Sequence, residues 1–102
     1  MPRAQYHALD VRELTLTDAQ PTLRARLYLP RGAGPWPAMV IGHGVHYLGI
    51  DEPRMVAFAR AMARSGVAVL TPQLDALADY HVETSTTVAL QRAVAWVAAQ
   101  PW

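Results

Sequence analysis

A chain of 102 residues, 52% apolar and 17% charged, has room for one small domain with a modest core and for no second one. Its formal net charge is +1, and no basic stripe or charge block runs along it, which argues against nucleic acid and an anionic membrane as partners. Cysteine is absent, which excludes disulfides, a thiol nucleophile and cysteine metal sites.

The first residues, Met1 to Val11, carry charges and no apolar segment of signal-peptide type. No apolar run is long enough to span a bilayer, and the cytoplasm is the expected compartment. Val11 to Thr17 alternates Leu14 and Leu16 with Thr15 and Thr17, a strand period. Asp18, Ala19, Gln20 and Pro21 supply a turn. Thr22 to Leu29 then puts Leu23, Ala25, Leu27 and Leu29 on one face, with Arg24, Arg26 and Tyr28 on the other. Two strands this close in sequence are expected to pair antiparallel.

Pro30 to Pro37 reads as a loop, and Ala38-Met39-Val40-Ile41 as a strand apolar on both faces, suited to the middle of a sheet. Gly42 to Ile50 is a glycine-bearing loop. Asp51-Glu52-Pro53 is a helix start with Asp51 as the capping acid. The helix is expected to run to about Arg64, with Met55, Phe58, Ala59, Met62 and Ala63 at helical spacing and Ser65-Gly66 closing it. Val67 to Leu70 is a second buried strand, stopped at Thr71-Pro72. Gln73 to His81 is irregular or a partial turn. Glu83 to about Gln100 is a second helix, with Val88, Ala95, Trp96 and Ala99 as its apolar stripe and Leu90, Val94 and Val97 beside it. The order is β-β-β-α-β-α: an antiparallel pair, then a βαβ unit expected to cross over right-handedly between parallel strands.

The stretches PAMVIGHGV, DEPRMVAFARAMARSGVAVLTPQL and the helix ending WVAAQPW, in this order, resemble the N-terminal part of α/β-hydrolases, especially dienelactone-hydrolase-like proteins and related esterases. The resemblance covers roughly residues 10 to 102. It implies that residues 1–102 are a single, incomplete domain with a partial α/β-hydrolase sheet. It also implies that the loop after the third strand contributes to an oxyanion hole. His43-Gly44 matches the family's His-Gly pair, and Val45 is then the residue whose N–H would face the substrate oxygen. Glycine would let the backbone approach a carbonyl closely. A glycine after a buried strand also serves simply to turn the chain.

The chain departs from the family at the chemistry. No G-x-S-x-G elbow occurs. Ser65 lies at a helix end and Ser85 near a helix start, where capping or solvation explains them, and no acid and His follow a nucleophile as the family order requires. No residue of this chain is therefore expected to be catalytic, and ester hydrolysis above background is not expected. Losing triad members costs on the order of a millionfold in turnover.

In the fold that the chain resembles, the Ala38–Ile41 strand lies between the Val67–Leu70 strand and one that this sequence lacks. Its apolar side chains are each worth roughly 1.5–3 kcal/mol when fully buried, so an open edge here is costly and invites another chain. Self-association, or a complementing chain that supplies the rest of the sheet, is the expected partnership.

Other constellations carry less. His43 and His46, with Asp51, Asp75, Asp79 and His81 as imagined further ligands, lack a third ligand of known placement, so no metal is expected. Gly42, Gly44 and Gly49 do not have the spacing of a dinucleotide loop, and no cofactor is expected. Trp36, Trp96, Trp102 and Tyr47 would line a pocket or, more simply, pack over the sheet. Asp75, Asp79 and Tyr80 read as solvated loop residues.

Overall fold

The alternating stretches at the start of the chain form a hairpin of two eight-residue strands, β1 (Leu9–Leu16) and β2 (Leu23–Pro30). They pair antiparallel in a register from Leu9↔Pro30 to Leu16↔Leu23. This computed structural model describes residues 6–18, 21–81 and 84–102. The turn residues Ala19 and Gln20 and the expected helix start at Glu83 lie outside the described residues.

The two apolar runs become β3 (Ala38–Val40) and β4 (Ala68–Pro72), joined through a helix, α1 (Pro53–Arg64). β4 pairs parallel with β3, Met39↔Val69, and antiparallel with β2, Leu27↔Leu70. The four-stranded sheet therefore runs β1-β2-β4-β3. The antiparallel pair and the parallel βαβ neighbours are both present. The later strand is inserted between β2 and β3, a pairing that the local sequence does not specify.

α1 covers one face of the sheet, where Tyr28, Ala59, Ala63 and Val69 are buried with Leu9, Met39, Ile41 and Met62 packed against them. A second long helix, α3 (Thr84–Ala98), covers the other face, where Ala25, Leu27, Leu70 and Ala93 are buried beside Val40, Trp96, Val97 and Trp102. One helical turn, α2 (Asp75–Ala78), precedes it in the segment expected to be irregular. Ala59, Ala63 and Ala93 have no side-chain bulk beyond Cβ, which lets both helices approach the sheet closely. Each fully buried large side chain in these layers, such as Leu27 or Leu70, is worth roughly 1.5–3 kcal/mol.

Several local expectations shift. Tyr28, assigned to the outer face of β2, is buried because α1 lies over that face. Phe58 is exposed, while Ala59 and Ala63 form the contact. The buried stripe of α3 is centred on Ala93; Val88 and Val94 are exposed, so the sequence stripe was displaced around the helix. The capping acid of α1 is Glu52, whose carboxylate accepts from the Met55 N–H at 2.9 Å, not Asp51. Asp51 ends a 3-10 turn, Gly49–Asp51, and pairs with Arg26. The far end of α1 follows expectation: the Ser65 hydroxyl donates to the Met62 carbonyl, and Gly66 takes a φ of +105°.

Candidate functional site

The loop from Gly42 to Asp51 leaves the end of β3 immediately after the last ladder bond, from the Ile41 N–H to the Leu70 carbonyl at 3.0 Å. It is tied to the segment after β4 by side chains from three elements. His43 is turned inward and 5% exposed. Its Nε2 accepts from the Leu74 N–H at 2.8 Å, so its proton sits on Nδ1, which donates to the Gly44 carbonyl at 2.7 Å. Further on, the Ile50 N–H donates to Gln73 Oε1 at 3.0 Å. Arg26, from β2, donates to the Ile50 carbonyl and to the Asp51 carboxylate.

Burial works against the Arg26 charge. Tyr28 and the carboxylates of Asp51 and Glu13 outweigh it, and the guanidinium is held above its ordinary range, so it stays charged. Arg26 is thus the link between the hairpin, the sheet and the loop. Arg26 and Gln73 were both missed as loop anchors. Arg26 falls on the polar face of a strand and Gln73 in an irregular stretch, and no local pattern marks either.

Between these ties the loop is open. A Cβ added to Gly44 would meet nothing within 4 Å, and Gly44 is not among the left-handed glycines. The backbone freedom expected to be needed at Gly44 is needed instead at Gly49, with φ +53° and space so tight that an added Cβ would lie 2.4 Å from Gln73. Val45 is half exposed, and its N–H has no hydrogen-bond partner among the described residues. His46 accepts from the Leu48 N–H and stacks on the exposed Tyr47, with ring centroids 4.9 Å apart. The loop therefore presents a free backbone donor at its apex on a base fixed by His43, Gln73 and Arg26.

The other singled-out residues do not join this site. His43 and His46 are committed to different backbone groups, Asp51 to Arg26, and His81 lies 3.8 Å from Asp79 at the surface. Among the described residues no cluster of three or more His, Asp or Glu could hold a metal ion. Ser65 is spent on the helix end. Ser85 lines a cavity of about 310 Å³ between the start of β2, α2 and the first turns of α3, and no histidine lines it. Trp96 and Trp102 meet edge to face at 6.2 Å over the sheet, and Trp36 packs edge to face on His7. Trp36 and Trp102 line a cleft beside Pro30, and Tyr47 stands apart from both. No helix among the described residues is long and apolar enough to cross a membrane.

No family model matches this sequence, and no curated protein matches it. A solved structure from Klebsiella pneumoniae subsp. pneumoniae MGH 78578, named "Putative Dienelactone Hydrolase", is similar to it with a TM-score of 0.55 and 20% identity. The match covers 80% of this chain and 35% of that one, so this chain spans about a third of its length. The likeness is one of fold: the four strands and their covering helices form part of an α/β-hydrolase-like sheet.

Proposed function

We propose that residues 1–102 are a single incomplete domain, the front part of a serine or cysteine α/β-hydrolase of dienelactone-hydrolase-like type. The complete protein would act on esters or related carbonyl compounds, and this stretch would not catalyse alone. The observation that carries the reading is the loop after β3, with its unpaired Val45 N–H held out from a base clamped through His43. In acyl transfer a nucleophile adds to the carbonyl and the oxygen gains a full negative charge. A backbone donor already fixed in place stabilises that charge without reorganising. Val45 would supply one such donor, Gly44 would leave room for the substrate, and His43 would hold the peptide between them. The second donor, the nucleophile and the general base would come from residues beyond this stretch. The lack of cysteine fits a cytoplasmic setting. The bare edge of β3 favours the other reading of the chain, an interaction module or one half of a split hydrolase.

A fluorophosphonate probe tests the first part: the 102-residue chain is expected to remain unlabelled, and labelling at Ser65 or Ser85 would overturn the proposal. Co-expression with a polypeptide supplying the later strands and a nucleophile elbow tests the second. Activity is expected only in the mixture, and Val45→Pro, which deletes the N–H, is expected to lower kcat by about 10²–10³-fold. Unchanged turnover in that variant would remove Val45 from the oxyanion site.

A further inference from the structure

The two edges of the sheet are built differently. β1 is lined by Asp10, Arg12 and Glu13, and charges on an edge strand discourage pairing with another chain. β3 at the opposite edge reads Ala38-Met39-Val40 and has no ionisable side chain. Its bonds to β4 begin at the Pro37 carbonyl and end at the Ile41 N–H. Strand alternation then turns the N–H and C=O groups of Ala38 and Val40 outward, with no strand to receive them among the described residues.

Both helices extend apolar surface past this edge. On α1, Ala61 and Arg64 line a cleft with Tyr6 and His7, on the side of β1. Successive helical residues turn by about 100°, so Phe58 and Met62 lie on the opposite flank, toward β3. Phe58 is 53% exposed there. On α3, Arg92 binds the Leu16 and Pro21 carbonyls beside the β1–β2 turn, while Leu90 touches Gly42 at the end of β3. Val94, one turn beyond Leu90 and 55% exposed, shares the β3 flank. One face of the open edge thus carries Phe58 and the other Val94.

We infer that two copies of this 102-residue chain pair antiparallel through β3, with Met39 opposite Met39 across a two-fold axis. The occupant is a second copy because the edge complements itself. In that register Ala38 faces Val40 of the other copy and Val40 faces its Ala38, so every outward N–H and C=O finds a partner. The contact is apolar and uncharged on both faces, so nothing in it repels its own copy. The axis stands perpendicular to the sheet and joins the two into one eight-stranded sheet. It brings Phe58 to Phe58 on the α1 face and Val94 to Val94 on the α3 face. The inference concerns the chain as an independent polypeptide and does not depend on the hydrolase reading.

Sedimentation equilibrium of the 102-residue chain, with far-UV circular dichroism as the check on folding, tests it. The wild type is expected to have twice the mass of one chain. Ala38→Pro deletes an outward N–H without touching the bonds to β4, and Val94→Lys places a charge against its own copy; each is expected to halve the mass with the spectrum unchanged. A folded wild type that stays monomeric at every concentration would overturn the inference, as would a dimer that survives both substitutions or growth into open filaments. A chain that is monomeric alone and assembles only with a polypeptide carrying later hydrolase strands would also overturn it, while leaving the hydrolase proposal standing.

Discussion

β3 and β4 are near copies in composition and lie side by side in parallel register, yet their environments differ sharply. Ala68-Val69-Leu70 is buried at every position, between β2 and β3 in the sheet and between α1 and α3 across it. Ala38-Met39-Val40 is exposed at its first residue and only half buried at the next two. An apolar run therefore fixes that a strand forms, while the neighbours on each side fix how much of it leaves water. The same contrast separates structure from chemistry here: the loop after β3 is held by groups on the β4 side and left open toward the edge.

Matched truncations at a register pair sharpen this contrast most. Leu70 pairs with Val40. Leu70→Ala is expected to cost about 2–5 kcal/mol, the range for large-to-small changes in closed cores. Val40→Ala is expected to cost about 1 kcal/mol, since only part of that side chain leaves water on folding. Urea melts in the Ala38→Pro background would compare them without a contribution from association. Equal losses would mean that β3 is as enclosed as β4.

Much of this contrast was legible in the residues. The hairpin, both apolar strands and α1 follow from period-two alternation, an apolar run between breakers, and a proline-started helix closed by glycine. What was not legible depends on partners distant in sequence. Tyr28 looked like an outward residue because alternation says nothing about a helix arriving over the second face. Val88 and Val94 looked like core because α3 is rich in Ala and Val all around, so composition did not say which side turns to the sheet. The His-Gly pair was visible. The inward turn of His43, its bond to Leu74 thirty-one residues away and the anchoring by Arg26 and Gln73 were not.

His43 tests whether the open loop depends on the buried strand beside it. His43→Ala leaves the Leu74 N–H without its acceptor and the Gly44 carbonyl without its donor. An unsatisfied buried group costs about 1–3 kcal/mol, so the variant is expected to lose stability on that scale. Amide exchange locates the loss: Leu74 should exchange faster, with Val69 and Leu70 changed only by the global shift in stability. Unchanged exchange at Leu74 would show that the loop holds its place by packing alone.

The smallest expected effect lies where the loop passes into α1. The Met55 N–H holds the Glu52 carboxylate below its ordinary value of 4.5, with the Arg54 backbone and guanidinium adding to the shift. A carboxyl that binds its proton less tightly in the folded chain than in the unfolded one adds stability above the unfolded value. That contribution is lost as pH falls through the lower, folded value. Glu52→Gln keeps an acceptor for the cap but cannot ionise. The wild type is therefore expected to melt higher than Glu52→Gln at neutral pH, with the gap closing as pH drops below about 4.5. Thermal melts of both chains across that range measure the gap directly, and other titrating carboxyls cancel in the difference. A gap that stays constant with pH would mean that the loop meets α1 through the geometry of Pro53 and the 3-10 turn, with no contribution from the charge on Glu52.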